Sequence, residues 1–387
     1  MDGQTEMTAA HLDEVYPLLP FAPTRGEGVY LLDATGRRVL DLYGGHAVAA
    51  LGYGHPALIE AIVAQTRAML FQSNAVPIAV RTAAADKLAE FAQSALERVF
   101  FVNSGAEANE NALRLALKLT GRGKIVALEQ SFHGRTAAAA AVTWGSSKWY
   151  GFPRTPMDVT FVARDDADAL AAAVDAETAA VIVEPVQGLA GAYDLDPSVV
   201  HCAREASRRA GALLILDEVQ TGMGRLGEPF GANLLGVEPD ILTTAKGLGG
   251  GFPAGAVLMR REIAKDLRPG ELGTTFGGGP VACAAICAVI DTIRRDDLLA
   301  RVREVSAYVR ERCIVGPVHG IQGAGFLLGL KTTPRAAAVR DALLAKNILA
   351  GTSADPHVLR LLPPLILEKQ HIDDLAAALG DLADATL

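Results

Sequence analysis

Cysteine is scarce in this chain. Of 387 residues only Cys202, Cys283, Cys287 and Cys313 are cysteine, and none stands in a Cys-x-x-Cys spacing. A disulfide scaffold is excluded, and no zinc-ligand pattern is present. Cys283 and Cys287 are one helical turn apart but have no matching histidine pair, so they read as apolar thiols on a helix face, as expected in a reducing cytoplasm. Basic residues are also in the minority. Lys+Arg number 36 against 44 Asp+Glu, a formal charge of −8, with no run of like charges and no basic tail. Phosphate neutralisation needs clustered Lys and Arg, so no nucleic-acid partner is expected. Long apolar runs are missing too. No stretch reaches the roughly 18 residues of a membrane span, and residues 1–14 carry no charged-then-apolar leader pattern. No membrane partner is expected, and the predicted location is cytoplasmic.

What is present is a large core's worth of apolar sequence. Half of the residues are hydrophobic and 21% are charged, which excludes a disordered chain. The length suffices for about two to three domains. Gly28-Val29-Tyr30-Leu31-Leu32, a turn at Asp33–Gly36, and Arg38-Val39-Leu40-Asp41 predict a hairpin. From about residue 57, helical stretches alternate with short apolar runs at Val99–Val102, Ile125–Leu128, Val159–Val162, Val181–Glu184, Leu213–Asp217, Ile241–Thr244 and Ala256–Met259. Unalternated aliphatic runs are strands buried on both faces. Ala108–Leu119, Asp166–Val174 and Pro197–Ala210 between them have helical spacing. The pattern predicts an α/β fold with a mainly parallel seven-stranded sheet, and ligands then sit beyond the carboxyl ends of the strands. After residue 280 the texture changes. Pro280–Arg294 and Asp297–Cys313 read as helices, and Gly323–Leu330, Val358–Leu361 and Leu365–Leu367 as short strands of a smaller α+β unit.

Four strand ends carry the chemistry. Asn103-Ser104-Gly105-Ala106-Glu107 opens a helix with free backbone N–H groups, which suits either a phosphate or an ordinary N-cap by Ser104. Ser131-Phe132-His133-Gly134-Arg135-Thr136 offers an aromatic cover and a carboxylate clamp, or only a solvated loop. Asp217 ends a wholly apolar strand, where an anion needs a cation or donor; a protonated ring nitrogen, a Mg²⁺ ion or a helix cap would each serve. Lys246, at another strand end beside a glycine-rich run, suits Schiff-base chemistry or simple snorkelling. The run Gly247-Leu248-Gly249-Gly250-Gly251 is no dinucleotide fingerprint, because Pro253 follows and a strand rather than a helix is predicted next. Phosphate seat, ring cover, anion and lysine together meet the needs of pyridoxal phosphate.

The ordered landmarks Arg25-Gly26-Glu27-Gly28, Gly44-Gly45, Leu51-Gly52 with His55-Pro56, Asn103–Glu110, Ser131–Thr136, Glu184-Pro185-Val186-Gln187-Gly188, Asp217–Gly222, Pro239-Asp240, Ala245–Gly250, Gly273–Gly278 and Leu359–Pro364 resemble the class III, fold-type-I pyridoxal-phosphate aminotransferases, and within them the acetylornithine aminotransferase group. The resemblance runs from about Pro20 to Leu367. It implies a homodimer with shared active sites and three parts: residues 1–56 (hairpin, part of a small domain), 57–279 (large cofactor domain) and 280–387 (C-terminal small domain). Lys246 would be the Schiff-base lysine and Asp217 the partner of the pyridine nitrogen. Val219 and Phe132 would cover the two ring faces, Gln220 would reach the ring hydroxyl, and the Ser104-Gly105-Ala106 backbone would hold the phosphate. Thr275 would complete the phosphate site of the other subunit, with Thr274 and Glu184 near the substrate. Arg135 would bind a substrate carboxylate, and Arg360 the α-carboxylate of 2-oxoglutarate or glutamate. The implied reaction moves the ω-amino group of N-acetylornithine or succinylornithine to 2-oxoglutarate, giving the semialdehyde and glutamate, as in arginine biosynthesis. Donors such as 4-aminobutyrate, a lysine-pathway intermediate or an α-amino acid remain open. An NAD-dependent oxidoreductase and a non-catalytic pyridoxal-phosphate protein are more distant alternatives.

Three positions depart from the family pattern. Leu189 stands where a glutamate usually pairs with the arginine placed at Arg360, so Arg360 is expected to be permanently uncovered. His46 replaces an aliphatic or aromatic residue and either reads the donor's polar tail or fills space. Tyr53 replaces a frequent histidine.

Overall fold

The computed structural model describes residues 11, 13 and 15–382. The leader reading of residues 1–14 falls almost wholly outside them. All seven predicted apolar runs form one seven-stranded sheet. Its order is Arg98–Val102, Gly255–Met259, Ile241–Thr244, Leu213–Asp217, Thr178–Val183, Lys124–Leu128 and Asp158–Val162. Its period-two logic is visible in the packing. Leu214 and Leu216 pack with Val181, Val183 and the helix Pro197–Ala210, while Ile215 packs with Ile182 and the helix Gly105–Thr120 on the other face. Both faces are therefore covered, which is why these strands read as continuous apolar runs.

The sheet is parallel at four of its six pairings. The exception is Gly255–Met259, antiparallel to both Ile241–Thr244 and Arg98–Val102. Its link from Thr244 spans about ten residues, fewer than the dozen or so a parallel crossover needs. The glycine-rich turn thus has a topological consequence that strand prediction alone misses.

The predicted hairpin is present as Tyr30–Asp33 and Arg38–Asp41, joined by a third strand, Pro23–Glu27. Ile348–Leu349, from the far end of the chain, pairs parallel with Arg38–Asp41. Two C-terminal expectations are corrected. The run Gly323–Leu330 is not one strand but parts of two, Val318–Ala324 and Leu327–Thr332, turning at Gly325 (φ 51°). Leu365–Leu367 is no strand; Leu365 and Ile366 form a turn after Pro363 and Pro364, where two prolines remove the N–H donors that ladder pairing needs. Val358–Leu361 is a strand as expected, with Arg360 opposite Gly329. Cys283 and Cys287 lie on the helix Pro280–Arg295, and all four cysteines are free thiols.

Candidate active site

The carboxyl ends of the parallel strands converge on Asp217 and Lys246. Asp217 is 3% exposed. Its Oδ2 accepts from Asn109 Nδ2 (2.7 Å) and pairs with His133 Nδ1 (2.7 Å), and its Oδ1 accepts from Val219 N (3.0 Å). Asn109 is fixed in turn, since Thr243 Oγ1 donates to its Oδ1 at 2.6 Å and its Nδ2 also reaches His133 O. Sequence reasoning placed Asn109 and His133 inside motifs without giving either a role. The available signal was spacing: Asn109 lies one helical turn beyond Gly105, on the face that packs against the sheet.

Lys246 opens a short turn directly after strand Ile241–Thr244, with φ of 46°. A left-handed backbone at a non-glycine residue is strained, and such strain collects at functional sites. Enclosure by protein pushes its ammonium down to about 8, with Arg360 and Arg225 acting the same way and Asp217 and Glu184 opposing. Asp217, the carboxylate acting on it most strongly, is tied instead to His133.

The expected phosphate seat is the start of helix Gly105–Thr120. Ser104 caps it, its hydroxyl accepting from Glu107 N at 3.2 Å. Glu107 reaches back to Asn103 N at 2.6 Å. The first-turn N–H groups of Gly105 and Ala106 stay unspent by the helix. A Cβ on Gly105 would lie 2.6 Å from Val219 Cγ1, so the seat and the residue expected on the ring face are in contact only because residue 105 is glycine. Phe132 is half-buried on the opposite loop, its N–H donating to Glu184 Oε1 at 2.9 Å. Glu184 Oε2 accepts from Gly188 N at 3.4 Å. Both Glu184 oxygens thus brace backbone, and burial pushes the carboxyl up to about 7.

Gln220 fills the space left by the missing side chain of Gly188 and donates to His46 O at 3.5 Å. Arg135 is exposed, its guanidinium 4.4 Å above the Trp149 ring, on the loop that carries Phe132. Thr274 Oγ1 accepts from Gly277 N (3.0 Å) and lies 3.5 Å from Asn103 Nδ2, beside the phosphate seat; Thr275 is exposed.

The expectation of an uncovered Arg360 is corrected. Its side chain is buried and donates to Thr352 O (2.7 Å), Gly188 O (3.1 Å) and Tyr43 Oη (2.8 Å). Leu189 is 41% exposed, and its side chain has no acceptor to offer. Tyr43 in turn bonds His46 Nδ1 at 2.9 Å. His46 belongs to a run of four left-handed residues, Gly44–Ala47, with φ between 55° and 69°. That run is anchored by Asp41, wholly buried, whose Oδ1 accepts from Tyr43 N (2.8 Å) and Gly44 N (2.9 Å). Tyr53 donates a short hydrogen bond to Asp41 Oδ2. The Tyr53 departure is thereby explained: its hydroxyl braces the carboxyl that holds the His46 turn. Arg225 is a second buried cation that sequence reasoning missed. Among the described residues it donates only to carbonyls, of Ala47, Phe326 and Pro363, and burial pushes it down to about 9.

This donor set fits a phosphorylated pyridine aldehyde: free N–H groups for the phosphate, a buried carboxyl for a ring nitrogen, and an amine of lowered basicity. The comparisons agree. The sequence profile described as aminotransferase class-III matches residues 12–382. The acetylornithine aminotransferase of Mycobacterium tuberculosis is 43% identical over 378 residues, 95% of this chain and 93% of that protein. That of Streptomyces coelicolor is 44% identical over 374 residues, 95% and 92% of the two chains. An ornithine aminotransferase structure from Toxoplasma gondii, with partial occupancy of pyridoxal phosphate at its active site, superposes with a TM-score of 0.90 at 28% identity, covering 96% of this chain and 91% of that one. The acetylornithine aminotransferase structure from Elizabethkingia anophelis gives 0.86 at 29% identity, covering 96% of each. The fold is accordingly that of the fold-type-I pyridoxal-phosphate enzymes, and an oxidoreductase or non-catalytic reading is set aside. By this match across nearly its whole length, the chain belongs to the class III aminotransferases.

Proposed function

We propose that the enzyme transfers the ω-amino group of N-acetylornithine, or of succinylornithine, to 2-oxoglutarate, giving the semialdehyde and glutamate in arginine biosynthesis. The carrying observation is the pairing of an enclosed, weakly basic Lys246 with a triply hydrogen-bonded Asp217 beyond the ends of neighbouring strands. The acylated donor is supported by the similarity to acetylornithine aminotransferases.

When bound, pyridoxal phosphate supplies an aldehyde that carries the amino group and a ring that accepts the electron pair released at the substrate carbon. Lys246 would hold the aldehyde at rest. Freed by the substrate amine, its Nζ would take the proton from the carbon bearing that amine and return one. Asp217 would hold the ring nitrogen, with His133 and Asn109 fixing its orientation. Val219 and Phe132 would enclose the ring, Gln220 would reach its hydroxyl, and Ser104, Gly105 and Ala106 would hold the phosphate. Arg135 and Arg360 would each bind a carboxylate, with Thr274, Glu184 and His46 lining the substrate's path.

We also assign residues 57–279 to a large cofactor domain, with 1–56 and 280–387 forming a small one, and the active unit to a homodimer in which Thr275 reaches the partner's phosphate. No described helix is long and apolar enough to cross a membrane. The four free thiols support a cytoplasmic location.

Purified protein should be yellow, bleach on adding N-acetylornithine and recover with 2-oxoglutarate. Borohydride should fix the cofactor at Lys246. A colourless protein that takes up no pyridoxal phosphate would sink the assignment, and bleaching by 4-aminobutyrate or alanine but not N-acetylornithine would move it to another donor.

A further inference from the structure

We propose that Tyr43, held by His46, is a displaceable neutral cap on Arg360 and so determines which amino acids the enzyme accepts. The proposal rests on the reading above in one respect, that Arg360 receives an α-carboxylate.

One hydrogen-bond direction is fixed by chemistry. Arg360 can only donate, so Tyr43 Oη accepts from its Nη2 at 2.8 Å. In the proposed arrangement the Tyr43 proton goes to His46 Nδ1, 2.9 Å away, with His46 in the neutral tautomer that carries its proton on Nε2. Burial, reinforced by Arg360 and Lys246, pushes His46 downward and favours that neutral form. In that arrangement the chain Arg360–Tyr43–His46 runs one way.

The backbone is built around this chain. Gly351 pairs with Arg360, and a Cβ there would lie 1.9 Å from Tyr43 Cε2. The Tyr43 ring thus occupies a slot that exists only because residue 351 is glycine. On its other side the ring contacts His46, with centroids 4.7 Å apart. His46 is presented by the strained left-handed run that Asp41 and Tyr53 anchor.

No carboxylate among the described residues forms an ion pair with Arg360; its partners are two carbonyls and a phenol. A buried cation with neutral partners attracts an anion. Of the three partners, the two carbonyls belong to backbone. Only the Tyr43 hydroxyl belongs to a side chain that can turn away. An incoming α-carboxylate therefore takes the Nη2–H that Tyr43 now accepts. A donor that places no carboxylate there leaves the cap closed. Leu189, whose side chain has no acceptor, contributes nothing to this exchange.

The test is calorimetric titration of the holoenzyme with glutarate, a five-carbon dicarboxylate that cannot react. Tyr43→Phe removes the competing acceptor and keeps the ring, so glutarate should bind about tenfold more tightly, as expected for one charge-assisted hydrogen bond. His46→Ala should tighten binding by a smaller factor, and His46→Gln, which keeps an acceptor for the Tyr43 proton, should restore wild-type affinity. Tyr43→Phe should also raise turnover of alanine relative to N-acetylornithine. General damage weakens ligands, so tighter binding is a signature that a merely structural role would not give. Unchanged or weaker glutarate binding by Tyr43→Phe overturns the cap, and equal affinities of His46→Ala and wild type overturn the role of His46. A protein that carries no cofactor fails the aminotransferase assignment instead, so the two failures are distinguishable.

Discussion

His133 Nδ1 and Asp217 Oδ2 lie 2.7 Å apart in an enclosure that leaves the histidine side chain without solvent exposure, and His133 Nε2 has no hydrogen-bond partner among the described residues. Among the described residues the imidazole therefore has a single polar contact, and that contact is with Asp217. His133→Ala should cost about 1–3 kcal/mol of apo stability, the range for an unpaired buried group. It should also lower kcat about tenfold or more by loosening the carboxyl proposed to hold the ring nitrogen. Asn109→Ala removes the other donor to the same oxygen. The two effects should be non-additive, because both act on one oxygen. Thermal unfolding of the four proteins of the cycle, with kcat measured alongside, checks this.

Lys246 gives a pH prediction with a definite sign. Its ammonium is pushed down to about 8 from 10.5. At pH 7 roughly a tenth of the side chain is then neutral, against well under a thousandth for an ordinary lysine. Only the neutral amine attacks an aldehyde. Uptake of pyridoxal phosphate by apoenzyme, followed by absorbance, should therefore quicken about tenfold per unit up to pH 8 and level off above it. Stability carries the same sign. Between pH 8 and 10.5 the unfolded chain binds the proton that the folded chain has lost, so this group makes apo stability rise with pH across that window. Lys246→Met should remove the rise and stabilise the apoenzyme at pH 7. A reconstitution rate that keeps climbing to pH 10 would contradict the lowered basicity.

Gly105→Ala tests whether the phosphate seat and the ring wall are one unit. The added Cβ would meet Val219 Cγ1 at 2.6 Å and Cγ2 at 2.8 Å. Overpacking of this kind costs about 1–3 kcal/mol, and the displaced Val219 should weaken pyridoxal-phosphate affinity by about tenfold or more. Gly123→Ala meets nothing within 4 Å and should leave both quantities unchanged. Absorbance titration of the two apoenzymes separates these outcomes.

How far the sequence carried depends on the kind of signal. The seven sheet strands were legible because burial on both faces writes itself as an aliphatic run. The enclosed strand-end positions of Asp217 and Lys246 were legible because a charge at the end of such a run contradicts its surroundings. The antiparallel course of Gly255–Met259 was hidden, since direction depends on connection length and not on strand composition. His133 and Asn109 were hidden for a different reason. Their partner lies 84 and 108 residues away, and no local pattern records a pairing across the sheet. Arg360 was found but its surroundings were misjudged. The missing glutamate at Leu189 was visible, whereas the hydroxyl of Tyr43 reaches Arg360 from 317 residues away.

The face around Phe276 yields the last prediction. Leu70 and Phe276 are each 66% exposed, Phe71 42% and Val76 43%. Phe71 and Phe276 stack with centroids 5.3 Å apart, and Asn74 Nδ2 ties their loops together through Thr274 O and Gly277 O. Four large apolar side chains on two mutually fastened loops make a preformed patch, the kind that marks a protein contact. Thr275, exposed beside Phe276, is the residue proposed to reach the partner's phosphate. Dimer formation and phosphate binding should consequently fail together. Phe276→Glu should give a monomer by light scattering, bind pyridoxal phosphate more weakly and lose most of its turnover. Ile314→Glu, at another exposed apolar residue, should leave assembly unchanged. Persistence of the dimer in Phe276→Glu and in Leu70→Glu would reject this face as the contact and, with it, the assignment of Thr275.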